Sequence, residues 1–275
     1  MRQSDFVSMG DRQKSYEAIE ASRLLLPGVP TLVRLDGRAF HTFTRGIKRP
    51  FDERLSRAMI ETAKFLIEQT HASIAYTQSD EISLAFPRLN TESGMMFDGK
   101  VQKLCSVFAG LATAKFNQQI RLLMPEKENA LPVFDARVWS VPNLDVATEY
   151  FEWREADATR NSVSMAASAY YSSKELHGAD TIKRHDMLHA KGINWNDYPA
   201  FFKRGTYVRR ETVLRTLTPE ELSRIPEKNR PTEPVLRSVI RELEVPPFYR
   251  VPNIKAVLFG GEQPLDQPKP VTATV

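Results

Sequence analysis

Residues 74–86 read IAYTQSDEISLAF: two apolar, β-branched or aromatic runs around a polar centre that holds adjacent carboxylates, Asp80 and Glu81. That pattern predicts a strand, a tight turn and a second strand. Acidic residues at the tip of a hairpin are ordinary turn chemistry. Whether this pair is more than that depends on what the fold brings beside it.

Upstream, 31-TLVRLD-36 reads as a strand stopped by Gly37, and 52-DERLSRAMIETAKFLIEQT-70 as a helix. Asp52 is placed to cap that helix and Glu53 suits its positive end. Leu55, Met59, Thr62 and Leu66 recur at helical spacing and predict one buried stripe. Downstream, a loop with Gly94 and Gly99 leads to a second helix over 100–120, with Leu104, Phe108, Leu111 and Lys115 on a broad face. Residues 133–141 alternate like a half-buried strand, and 143–171 read as mainly helical. The order strand, helix, hairpin, helix, strand is the βαββαβ order of a ferredoxin-like antiparallel sheet with helices on one face, an α+β architecture.

Residues 1–22 predict a short surface helix. Beyond about residue 212 the text turns proline-rich and polar, so a catalytic domain over 1–212 and a C-terminal extension over 213–275 are expected. Residues 248–261 are read as a last strand, and the tail from 263 as disordered.

The 275 residues are 41% hydrophobic and 26% charged, ordinary globular proportions, with a net charge of +4. Mild basicity tolerates a polyanionic partner without demanding one. Cys105 is the single cysteine, which excludes an intrachain disulfide or a cysteine-rich zinc site and suits a reducing compartment. The polar N-terminus lacks a signal-peptide core and no apolar run approaches the roughly 20 residues of a membrane span. A cytosolic protein is therefore expected.

In a ferredoxin-like sheet the first strand and the central hairpin are neighbours, so Asp36 and Asp80 can converge at one edge. Two carboxylates and the carbonyl of Gly37 are the hard oxygen donors that Mg²⁺ prefers. The bland alternative is two common turns that never meet. Successive N–H groups from Gly37 through Arg38, Ala39, Phe40 and His41 can form an anion nest, or a plain turn. Phe40 reads equally as core or as a base-stacking platform, and His41 as an ordinary polar histidine. Lys48 and Arg49, and Lys100 with Lys103 one turn apart, suit phosphates or solvent. In 203-KRGTYVRR-210, Lys203, Arg204, Arg209 and Arg210 surround Tyr207, suiting a nucleic-acid backbone or a basic edge strand. His185 and His189 lack the H-E-x-x-H setting and read as a polar helix face.

Taken together, 33-VRLDGRAFH-41, 49-RPFD-52 and 75-AYTQSDEISLAF-86 resemble the tRNA-His guanylyltransferase family, as do 134-FDARV-138, 151-FEWREAD-157 and 202-FKRGT-206. The resemblance implies a polymerase-like palm that adds nucleotides to the 5′ end of tRNA, in the 3′-to-5′ direction. ATP or GTP first activates the 5′-monophosphate; the 3′-hydroxyl of an incoming nucleoside triphosphate then attacks it. The resemblance makes Asp36 and Asp80 the carboxylates for two Mg²⁺ ions, with the Gly37 carbonyl, and Glu81 a catalytic neighbour that supports Asp80 from behind. Residues 37–41, Ser79, Arg49 and Asp52 are implied to contact the nucleotide, and Lys100 and Lys103 a second triphosphate. A homotetramer is implied as well, with tRNA as partner and no membrane.

The family's His-Ile-Asn-Asn-x-Tyr-Asn signature after Trp-Arg-x-Ala-Asp is altered in 153-WREADATRNSVSMAA-167: Thr159 and Arg160 replace His-Ile, Asn161 survives as an RNA contact, and Ser164 and Met165 replace Tyr and Asn. The chain thus looks like the guanylyltransferase-like branch, which refills missing 5′ nucleotides by pairing to the opposite strand. Strict guanylylation of tRNA-His is the alternative enzyme reading. A non-catalytic RNA-binding or nucleotide-sensing palm is an alternative of another class.

Overall fold

The computed structural model describes residues 8–87 and 96–267. Gly94 and residues 268–275 of the expected tail lie outside them. In chain order the elements are α1 (Met9–Ala21), β1 (Thr31–Gly37), α2 (Phe40–Phe43), α3 (Glu53–Thr70), β2 (Ile74–Gln78), β3 (Glu81–Phe86) and α4 (Val101–Leu123). Then come β4 (Phe134–Ser140), α5 (Leu144–Ser168), α6 (Thr181–Ala190), α7 (Ala200–Arg204), β5 (Thr206–Arg215), α8 (Pro219–Ser223) and β6 (Val235–Leu243).

The strands form one sheet in the order β4-β1-β3-β2-β5-β6, every pair antiparallel. Its first four strands have the ferredoxin-like order expected from βαββαβ. Ser79 and Asp80 alone join β2 to β3, because Gln78 and Glu81 are still paired. Ser79 takes the left-handed conformation, φ 49°, that so short a hairpin loop requires.

Strand alternation sorts side chains to two faces. Val33, Leu35, Ala75, Ile82 and Leu84 face α3 and α4, where Met59, Leu66, Phe108 and Phe116 complete the first core. Asp52 caps α3 by accepting from the Arg54 N–H. Met59, Thr62 and Leu66 are buried as expected. On α4 the buried stripe runs Leu104, Phe108, Ala112, Phe116, Ile120; Leu111 is half-buried beside it, and Lys115 lays its ammonium over Phe65.

The other face is not open, which corrects the expectation of helices on one face only. Leu32, Ile74, Tyr76 and Tyr207 lie beneath Phe151 of α5 and beneath Phe248, Val251, Ile254, Val257 and Leu258 of the chain after β6. That chain is no strand, another correction: it forms a 3-10 turn at Phe248–Arg250 and a π turn at Ala256–Gly260. Its prolines, Pro246, Pro247 and Pro252, withhold the N–H groups that a ladder needs. The last strand is β6, and the compositional change near 212 falls inside β5. Among the described residues no helix is long and apolar enough to cross a membrane.

Candidate active site

At the end of β1, Asp36 is the cross-strand partner of Glu81 on one side and of Asp135 on the other. The Gly37 N–H donates to the Asp80 carbonyl at 3.0 Å and ties the hairpin tip to the strand end. A Cβ on Gly37 would fall 2.3 Å from the Phe40 ring, so glycine is required here by close packing. That ring is buried against Phe43, Phe116 and Phe134 at 5.3–5.4 Å. Phe40 is therefore core, although it also borders the cleft described below.

Asp36 and Asp80 are both half-buried, and neither forms an ion pair among the described residues. Burial pushes the Asp80 carboxyl up, the Ser79 hydroxyl opposes this, and the charge of Asp36 adds to it. Two under-compensated carboxylates beside a glycine carbonyl form an all-oxygen donor set suited to a hard divalent cation. No group of three or more His, Cys, Asp or Glu able to hold a metal exists among the described residues. Glu81, adjacent to Asp80 in sequence, is gripped by Arg154, Nε to Oε1 at 2.7 Å and Nη2 to Oε2 at 2.8 Å. Burial pushes the Glu81 carboxyl up while the guanidinium opposes it. Glu81 thus anchors β3 to α5.

Beside Asp80 opens a cleft of about 490 Å³, within the size range of small-molecule sites. Its walls bring together His41, Arg49, Asp52, Ser79, Asp80 and Asn161 from the residues singled out by sequence. Asp52 contributes least to any ligand, because its buried carboxylate also accepts from Nε and Nη2 of Arg54, which holds its pKa low. Of the expected nest, Gly37 and Arg38 spend their N–H groups on the carbonyls of Asp80 and Val133. Those of Ala39, Phe40 and His41 bond to no protein acceptor among the described residues.

Lys48, paired with Arg49 in the sequence reading, lines the cleft too, and the cleft also uses residues to which that reading gave no role: Phe51, Phe201 and Phe202, and, on α5, Ser164 and Met165. They come from separate elements, so no local pattern marks them. The signal was the altered α5 signature, whose replacements Ser164 and Met165 line this wall.

Other expected residues are elsewhere. Lys100 and Lys103 stand at the α4 N-terminus, where Leu25 and Val101 bond to Gly99 and Arg23. Phe116, the α4 residue next to Phe40, lies 13 positions on, roughly 20 Å along a helix. The two lysines therefore do not join Asp36 and Asp80 within one chain. Arg209 is 4% exposed, its guanidinium donating to the carbonyls of Val257, Gly261 and Glu262 and to Glu211. It holds the C-terminal segment and is closed to RNA. Arg210 points to the α3 face and donates to the Ile67 carbonyl at 2.9 Å. Lys203 and Arg204 end α7 next to the cleft residues Phe201 and Phe202, with Lys203 bonded to the Asn196 carbonyl. His185 packs edge-on to Trp195, as befits a structural helix face.

A ferredoxin-like sheet with two aspartates at its end, beside a cleft of nucleotide size, defines a palm-type nucleotidyltransferase. The family model described as tRNAHis guanylyltransferase matches residues 10–142. The tRNA(His) guanylyltransferase of Debaryomyces hansenii is 30% identical over 73% of this chain and 80% of its own length. Two solved structures of bacterial tRNA(His) guanylyltransferase-like protein also match. The complex with ATP is 40% identical with a TM-score of 0.69, over 74% of this chain and 87% of that one. The complex with GTP is 37% identical with a TM-score of 0.61, over 74% and 86%. The chain belongs to the tRNA(His) guanylyltransferase family.

Proposed function

We propose that this nucleotidyltransferase is Mg²⁺-dependent, acts in the 3′-to-5′ direction, and restores missing 5′ nucleotides of tRNA against the opposite strand of the acceptor stem, working as a homotetramer. The approach of Asp36 to Asp80, which itself lines the cleft, carries the reading. Asp36, Asp80 and the Gly37 carbonyl would hold the ions, which when bound stabilise the charge on attacking and leaving oxygens.

The chain's own groups orient the reactants. Lys48 and Arg49 offer exposed cations to a triphosphate. Phe51, Phe202 and Met165 offer an apolar wall, and Asn161, Ser162 and Ser164 polar groups, to a base and ribose. With ATP or GTP there, the RNA 5′-phosphate attacks the α-phosphorus and pyrophosphate leaves. The 3′-hydroxyl of the incoming nucleotide then attacks the activated 5′-phosphate and the nucleoside monophosphate leaves. A template chooses the base, so phosphate and shape contacts suffice for the protein.

Template-dependent repair is supported by the replacement of the tRNA-His signature on α5. It is supported too by higher identity to the guanylyltransferase-like structures, 40% and 37%, than to the Saccharomyces cerevisiae enzyme structure, 28%. The names of the Debaryomyces hansenii and Saccharomyces cerevisiae relatives favour the second reading, addition of one guanosine to tRNA-His.

One experiment separates them: incubate 5′-shortened tRNAs of several identities with all four nucleoside triphosphates and sequence the products. Templated nucleotides on several tRNAs are expected, and extension of full-length tRNA-His alone would sink the repair reading. Asp36→Ala and Asp80→Ala should each lose at least about 10³-fold in addition rate while melting normally. Full activity in either overturns the assignment of the carboxylates.

A further inference from the structure

On the face that carries Asp36, α5 packs over the middle of the sheet, as Phe151 against Tyr76 and Tyr207 shows. The edge strand β4 is left open there. Asp135 and Arg137 are more than half exposed at their side chains. Three aromatic rings line that open strip: Trp139 contacts Tyr150 at 5.3 Å, and Tyr150 contacts Trp153 at 5.9 Å. Trp153 is 49% exposed, although nothing in helix formation requires a bulky apolar ring at a surface position.

The ring is held rather than loose. The Arg154 guanidinium lies 4.5 Å from its centroid, fixed in turn by Glu81 and by Asp157. Tyr150 is locked by a 2.8 Å hydrogen bond to Ser83, and burial first of all pushes its pKa up to about 12, so it stays neutral. Arg34 and Arg137 are cross-strand partners on this same face. Among the described residues, Arg34 has a buried Nε without a protein acceptor, and Arg137 has one ion-pair contact, Asp135 at 3.7 Å, too long for a hydrogen bond. Arg34 is two residues before Asp36, roughly 7 Å along the strand.

We propose that Trp153, backed by Tyr150 and Trp139 and flanked by Arg34 and Arg137, is the platform on which the terminal base of the RNA end stacks. A rigid aromatic surface between guanidinium groups fits a base and its phosphates. Its position places a stacked end next to Asp36, where the 5′-phosphate must react. Stacking ignores base identity, as templated addition to varied ends requires. The inference rests on an RNA end as the substrate, and it names surface that lies outside the nucleotide cleft.

The test measures binding of a 5′-shortened tRNA and, separately, of ATP to wild type, Trp153→Leu, Trp153→Phe and Arg137→Ala. Trp153→Leu should weaken tRNA binding about tenfold and Trp153→Phe far less, because phenylalanine keeps a stacking face. Arg137→Ala should lower the slope of log affinity against log salt by about one. ATP affinity should stay at the wild-type value in all three. Unchanged tRNA affinity in Trp153→Leu overturns the proposal. So does an equal loss of tRNA and ATP binding in that variant, which would report a collapsed site. A wild-type protein that binds tRNA but adds no nucleotide refutes the enzymatic reading and leaves the platform standing.

Discussion

Single side chains here are set by their surroundings more than by their type. Asp80 and Glu81 are adjacent in sequence, yet one faces the cleft rim and the other is bound on both oxygens by Arg154. Glu155, next along α5, has a third environment: it is 5% exposed and accepts one hydrogen bond, from the Phe248 N–H at 3.0 Å. Burial drives its pKa from 4.5 up to about 7, the Phe248 contact opposing. A carboxyl whose pKa is higher folded than unfolded binds more protons in the native state between those values. Stability therefore falls as pH rises through the window from 4.5 to about 7, by roughly 3 kcal/mol at full ionisation. Glu155→Gln keeps the acceptor and removes the charge. It should raise the melting temperature by several degrees at pH 8 and leave it unchanged at pH 4.5. Equal shifts at both pH values would show that packing, not ionisation, sets the difference.

Among the elements, the βαββαβ core was legible because its signals are local. Turn residues closed the hairpin, apolar spacing marked α3, and alternation marked β4. The convergence of Asp36 on Asp80 followed from strand order alone. What stayed hidden depended on direction and partner. Lys100 and Lys103 face away from the site because α4 carries them roughly 20 Å from its Phe40 end. Arg209 was read as surface, but strand alternation turns it with Tyr207 beneath the C-terminal segment. The Arg154–Glu81 pair was equally invisible, since 73 residues separate its members. It is a buried fork joining β3 to α5. Arg154→Ala should cost about 3–5 kcal/mol, because it strands a buried carboxylate. Replacing both partners, Glu81→Leu with Arg154→Met, should recover most of that stability in urea unfolding. An Arg154→Ala protein as stable as wild type would exclude the clamp.

At the scale of the molecule, one sheet separates two cores, and the α3–α4 side is built mainly from the ferredoxin-like unit, with Leu25 and Val208 added from outside it. The second side is closed from far along the chain: Phe248 stacks on Tyr207 at 5.2 Å, and Val251, Ile254, Val257 and Leu258 cover Leu32, Ile74 and Tyr76. Proline-rich text hid this role, because segments without a helical or strand period give no pattern to read. The segment behaves as a cover whose main-chain carbonyls, at Val257, Gly261 and Glu262, are tied down by Arg209. Ending the chain after Leu243 removes the cover and leaves a large aromatic face of the sheet in water. Such a protein should keep its helices and strands by far-ultraviolet circular dichroism, lose fixed aromatic signals, and bind the dye ANS, the marks of a loosely packed state. Phe248→Ala in the full chain should show the same weakness in milder form, about 3–5 kcal/mol by urea unfolding. A truncated protein that melts cooperatively at the wild-type temperature would mean that the palm is self-sufficient and the C-terminal segment only rests on it.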